Sequence, residues 1–192
     1  MKSIDIAKKF VFNALLIEES LYKIHNDGIS VKHGIASAPI SRIVENDFSP
    51  TIWIQASQMS SVYMILYCIE NTLRQLIIDR LSERKGLAWW DNCVSQKIKK
   101  NAERIKKEEE VNKYISSRST ILINYSLLDD LGDIICTNWD DFSDIVPDQA
   151  WVKSRMSDLT KCRNIIMHTG VLPQIEIERI DNIARDFIKQ FN

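Results

Sequence analysis

Residues 62–77 read VYMILYCIENTLRQLI, and their apolar spacing decides the fold. Val62, Leu66, Ile69, Leu73 and Leu76 recur at steps of four and three, with Ile65 and Ile77 beside them. That interval stacks side chains on one face of an α-helix. The spacing predicts a helix from Ile54 to Glu83, which should be the most buried element of the protein. Its unbroken apolar run, Val62 to Ile69, is eight residues long, whereas a membrane span needs ~20. The segment therefore reads as a core helix.

Working outward towards the N-terminus, Ile6, Phe10, Ala14, Ile17, Leu21 and Ile24 form an amphipathic stripe that Asn26-Asp27-Gly28 stops. Residues 29–50 keep no period and contain Gly34, Pro39 and Pro50, so they read as an irregular connector. The chain thus divides into an N-terminal helix and connector, residues 1–53, and a helical domain, residues 54–192. In the other direction, Gly86 precedes Trp89-Trp90, and the stretch from Lys97 to Lys113 holds seven Lys or Arg and four Glu, a solvated helix with a basic bias. Thr120 to Tyr125 is β-branched enough for a short extended segment. Ser126 is placed to cap a helix in which Leu127, Leu128, Leu131 and Ile134 face inward. Seven aspartates and no Lys or Arg lie between Ser126 and Val152, which reads as an acidic surface with Trp139 and Phe142 beneath it. Asp148 caps a helix carrying Val152, Met156, Leu159 and Ile166, which Gly170 and Pro173 stop. Ile177, Ile180, Ala184, Phe187 and Phe191 mark a last helix. The fold class is all-α, a helical bundle with at most one short extended piece.

Composition narrows the function. Hydrophobic residues make up 45% of the 192 and charged residues 27%, with 5 Gly and 4 Pro, which excludes a disordered or low-complexity chain. The net charge of -1 excludes a protein that holds nucleic acid through overall charge, so any basic site must be local. Cys68, Cys93, Cys136 and Cys162 form no C-x-x-C pair and have no zinc-ligand spacing; they read as reduced, mostly buried thiols. No metal or other cofactor is expected. Lys8-Lys9 and the apolar residues after them lack a cleavage site, and Asn13 interrupts them, so the expectation is a cytoplasmic protein with no membrane partner.

Two charges fall where charge is costly. Glu70 has Tyr63, Leu66, Tyr67, Leu73 and Ile77 as helical neighbours, with Arg74 the polar one among them. Arg163 lies between Leu159 and Ile166 on the apolar face of its own helix. We therefore expect Glu70 to hold Arg163 across the bundle. His168 follows Arg163 by five residues at the end of the same helix. Histidine exchanges a proton near neutral pH and arginine is a fixed cation suited to a phosphate, a combination that serves phosphodiester cleavage without a metal. Five residues of ideal helix separate the two by about 140° and ~7.5 Å. Bringing them together needs a loosened helix end, the reach of arginine, or a second subunit.

The string Arg163-Asn164-Ile165-Ile166-Met167-His168 resembles the R-x4-6-H motif of the HEPN superfamily, in the form R-N-x3-H. The likeness runs over about residues 55–190. The helix around Glu70, Trp89-Trp90, Tyr125 to Asp133, Asn138-Trp139-Asp140-Asp141-Phe142 and the motif helix follow in the order of one HEPN branch. The resemblance implies an endoribonuclease that dimerises so that two motifs face one cleft. His168 would be acid or base at the ribose 2′-OH and the leaving oxygen, and Arg163 would stabilise the pentavalent phosphate. Asn164 would position the phosphate or His168, with Glu70 completing the site. The product would end in a 2′,3′-cyclic phosphate, and the setting would be toxin–antitoxin or antiphage defence with an antitoxin or defence-system partner. Some relatives carry a tyrosine two residues after the histidine, which an antitoxin modifies; Gly170 stands there in this chain.

Lys97, Lys99 and Lys100 are candidate RNA contacts on the basic helix, although alternating Glu residues make a solvated helix the default. Trp89, Trp90, Trp139 and Trp151 could stack on bases, but in so apolar a bundle tryptophans more often fill the core. The competing functional readings are a non-catalytic HEPN module that binds RNA or nucleotide, and a dimerisation or adaptor domain; for Glu70 and Arg163 the competing reading is a structural salt bridge joining two helices.

Overall fold

A computed structural model of the chain describes residues 47–112 and 114–191. The helix expected over residues 6–24, and the connector as far as residue 46, lie outside the described residues. Those described belong to one compact unit, Glu45–Asn192. The described residues form six α-helices: α1 Pro50–Lys85, α2 Trp89–Cys93, α3 Gln96–Val111, α4 Leu128–Thr137, α5 Gln149–Met167 and α6 Gln174–Phe191. No strand occurs among the described residues. No helix among them is long and apolar enough to cross a membrane.

The central helix α1 forms as its periodicity requires. Met59, Val62, Leu66, Ile69, Leu73, Ile77 and Leu81 are its buried residues, a stripe at steps of three and four along about six turns. It begins earlier than expected because Pro50, placed in the connector by the sequence, occupies the first helical turn, where a missing N–H costs nothing. It ends at Gly86, whose φ of 77° lies in the left-handed region that glycine enters without a Cβ penalty. Helices α4, α5 and α6 pack on α1, α5 also packs on α4 and α6, and α2 follows α1 through Trp89. Trp89 is buried and Trp90, Trp139 and Trp151 are partly buried against the same core, so the tryptophans serve as packing.

Several local expectations change. Leu122–Tyr125 is a 3-10 turn, not an extended segment, and it packs on α3. Tyr125 is fully buried and donates its hydroxyl to the Ser119 carbonyl at 2.6 Å, which ties the turn to the loop before it. Ser126 does not cap α4. Instead Asp130 reaches back and accepts the Leu127 N–H at 2.8 Å, while the Ser126 hydroxyl is buried without a partner among the described residues. Leu127 is half exposed, and Leu128, Leu131, Ile134 and Ile135 make the inward face. Asp148 does cap α5, accepting the Trp151 N–H at 2.7 Å. Of the cysteines only Cys162 is buried; Cys93 and Cys136 are intermediate and Cys68 is exposed.

The aspartate-rich segment is not simply solvated, because the last turns of α1 supply the cations that its own sequence lacks. Arg84 and Lys85 pair with Asp141, and Arg80 and Arg84 pair with Asp144. Arg80 Nε also donates to the Asp141 carbonyl at 2.8 Å. The Arg80 guanidinium beside Asp144 holds that carboxyl below its ordinary value. Phe142 is fully buried between these pairs in sequence, as a residue beneath the acidic surface should be.

Candidate functional site

The polar side chains of α1 stand one position round from its core stripe. Tyr63, Tyr67, Glu70 and Arg74 follow one another at steps of four, three and four, so they share a face. Across from them α5 presents Arg163 and Met167, one turn apart. The loop before the 3-10 turn adds Arg118 and the turn adds Asn124. These residues, with Leu66 and Asn71, line a cleft of about 340 Å³.

Within the cleft the charges are arranged differently from the expectation. Glu70 pairs with Arg74 on its own helix, and the two side chains are only 17% and 12% exposed. Arg74 Nη2 also donates to the Ser126 carbonyl at 3.2 Å, and its Nε is buried without a partner among the described residues. The expected Glu70–Arg163 bridge is therefore absent, because a glutamate four residues before an arginine on one helix meets it without any help from packing. The sequence held this signal, since Arg74 was the one polar neighbour of Glu70. Arg163, half-buried, makes no ion pair among the described residues; its Nη1 lies 3.5 Å from Asn164 Oδ1.

Arg118 is held from two sides. Glu109 on α3 accepts its Nε at 2.6 Å and pairs with its Nη2, and the guanidinium carbon sits 5.2 Å from the centre of the Tyr125 ring. That hydrogen-bonded guanidinium keeps the Glu109 carboxyl below its ordinary value. No pattern in the sequence marked Arg118, because it comes from a loop and its partners are on other elements. Tyr63 and Tyr67 were visible as an i, i+4 pair; both are exposed, with ring centres 6.3 Å apart.

His168 occupies the end of α5. The helix is regular up to it: the His168 N–H donates to the Asn164 carbonyl at 3.1 Å. The Thr169 N–H then donates to Ile166 and the Gly170 N–H to Ile165, at 3.0 and 2.8 Å. This is a Schellman closure. The left-handed residue in it is Thr169, with φ 61°, and not the glycine that the sequence pointed to. Gly170 is required for a different reason, since a Cβ there would lie 2.6 Å from Ile165 Cγ2 and 2.9 Å from the Ile165 carbonyl oxygen. His168 and Asn164 are exposed, and His168 does not line the cleft. The helix end is thus not loosened between Arg163 and His168, which leaves the reach of arginine or a second copy of the chain to bring them to one phosphate.

The basic helix contributes less than expected. Lys99 is buried at 7% exposure and its ammonium donates to the Asp91 carbonyl, so it anchors α3 to α2 and is removed from the RNA candidates. Lys97 and Lys100 are exposed.

A larger cavity, about 430 Å³, lies elsewhere, between α1 and α6. Its walls are apolar, chiefly Met64, Ile65, Phe187 and Ile188, and its charged groups Asp181 and Arg185 pair with each other at 3.1 Å. The smaller cleft beside Arg163 therefore carries the chemistry that an acid–base or phosphate site needs. No family model, curated protein or solved structure matches this chain.

Proposed function

We propose that this protein is an endoribonuclease of the HEPN type that needs no metal ion, acting as a homodimer in a toxin–antitoxin or antiphage setting. The observation that carries the reading is Arg163. A half-buried guanidinium at a polar cleft, with no carboxylate to neutralise it among the described residues, is a cation available to a ligand phosphate. Its retention as half of a structural salt bridge is not supported, because Glu70 is engaged by Arg74.

In this mechanism His168 takes the proton of a ribose 2′-OH, and the 2′ oxygen attacks the adjacent phosphorus. Arg163 stabilises the charge that develops on the pentavalent phosphorane. The bond to the 5′ oxygen breaks, that oxygen takes a proton from an imidazolium, and a 2′,3′-cyclic phosphate remains. The regular helix between Arg163 and His168 favours a dimer, in which a second copy supplies the imidazole that one motif cannot bring round. Asn164 positions the phosphate or His168, and Glu70 acts through Arg74 on the cleft wall. Incubating wild-type and His168→Ala protein with total RNA in EDTA, after matching their circular dichroism, tests this. Cleavage by wild type alone with cyclic phosphate ends is expected; no cleavage by wild type overturns the reading.

The alternative is a HEPN module that binds RNA or nucleotide without cutting it, and the position of His168 outside the cleft lining favours it. It requires binding that is retained in His168→Ala and no cleavage in either protein.

A further inference from the structure

We propose that the cleft between α1 and α5 is a subsite for one unpaired nucleotide, with Arg163 and Arg118 on its phosphate and Tyr67 against its base. The proposal deepens the ribonuclease reading and takes from it that the ligand is RNA. The geometry of the cleft stands independently of it.

Three guanidiniums converge on the cleft against one carboxylate, and that carboxylate is taken by Arg74. Arg118 is oriented in advance by Glu109 and by the Tyr125 ring, which engage its Nε, its Nη2 and one face of its plane. Its Nη1 is left for an anion. An exposed pair such as Arg118 with Glu109 contributes little stability, so sharing the guanidinium with a phosphate costs little. Arg163 offers a second cation without a competing ion pair among the described residues. Tyr67, 57% exposed, puts an aromatic ring at the same cleft. An aromatic ring beside cations is the arrangement that grips single-stranded nucleic acid, because every base has a π-face and an unpaired base can leave its stack. The buried Nε of Arg74 and hydroxyl of Ser126, both without partners among the described residues, mark the wall behind as polar. A volume of about 340 Å³ is at the lower end of small-ligand sites, which suits one nucleotide and not a duplex.

The test measures binding of the full chain to a short single-stranded 2′-O-methyl oligoribonucleotide by fluorescence anisotropy over a range of salt. The blocked 2′ oxygen cannot attack, so binding is read apart from cleavage. Wild type is expected to bind this strand more tightly than its duplex. Arg118→Gln should lower the slope of log K against log salt by about 0.7, the value of one phosphate contact on a single strand. Tyr67→Ala should weaken binding roughly tenfold at unchanged slope, and Tyr67→Phe should restore it. Both positions are exposed, so the variants should fold, which circular dichroism checks. No binding by wild type, or variants that bind with the wild-type affinity and slope, overturns the subsite. Cleavage of RNA runs in parallel. Cleavage that depends on His168 but is indifferent to Arg118 and Tyr67 sinks the subsite and keeps the ribonuclease. Binding that depends on Arg118 and Tyr67 with no cleavage keeps the subsite and sinks the ribonuclease.

Discussion

Glu70 and Arg163 line the same cleft from opposite helices, yet Glu70 pairs with Arg74 one turn along its own helix and leaves Arg163 without an ion pair among the described residues. The two residues therefore have different energetic roles, although a salt bridge between them would have given them the same one.

Arg163→Ala should cost less than about 1 kcal/mol of stability, because no buried partner loses its counter-charge. Glu70→Gln should cost on the order of 2 kcal/mol, since it leaves the mostly buried Arg74 cation with only the Ser126 carbonyl. Urea unfolding of both variants checks this. Equal losses would restore the bridge across the bundle.

The end of α5 gives opposite expectations for adjacent residues. Thr169 holds a left-handed φ that a β-branched residue adopts only under strain, so Thr169→Gly should stabilise by about 1 kcal/mol. Gly170→Ala should destabilise by more than about 1 kcal/mol, because its methyl would press on a backbone carbonyl that cannot swing away. Thermal unfolding should move a few degrees up for the first and down for the second. A rise for Gly170→Ala would contradict the close approach to Ile165.

Helices α4 and α5 meet at Gly132, where a Cβ would lie 2.6 Å from Met156 Cγ. Alanine there gains about 1 kcal/mol of helix propensity, but overpacking costs about 1–3 kcal/mol, so Gly132→Ala should be net destabilising. Combining it with Met156→Ala should recover part of the loss, and a double-mutant cycle measures that coupling. Additive losses would mean that the helices separate freely.

Two aspartates should shape the acid limb of stability with opposite signs. Arg80 lowers the Asp144 carboxyl below 3.8, so its contribution is present above that pH and is lost as pH falls through the depressed folded value. Burial raises Asp130, against the opposing effect of the Leu127 N–H. The folded state then holds a proton that the unfolded state has released, and stability falls as pH rises from 3.8 through the raised folded value. Asp144→Asn should flatten the loss on acidification, and Asp130→Asn should remove the decline above pH 3.8. Melting temperatures measured across this range should shift in opposite senses; parallel curves would count against both assignments.

The stripe from Val62 to Ile77, the cap at Asp148 and the apolar face of α6 were legible because burial of apolar area repeats with the helical period, and a cap needs only neighbours in sequence. Thr120–Tyr125 was misread because β-branching is a weak preference. Tyr125, fully buried, holds the segment in a 3-10 turn against α3. Lys99 was misread because its charge suggested solvent, while its position beside α2 offered the Asp91 carbonyl.

By itself the sequence determined that the chain makes an α-helical bundle, which faces of its helices are apolar, and that Arg163, Asn164 and His168 stand within one turn and a half of a single helix. Only the tertiary structure decided that Arg163 makes no ion pair among the described residues, that Arg118 and Tyr67 share its cleft, and that the basic end of α1 neutralises Asp141 and Asp144. The physical reason is the range of the interactions. Apolar burial acts through a pattern that one helix carries alone, whereas an ion pair depends on a few ångströms between elements that the chain brings together from far apart.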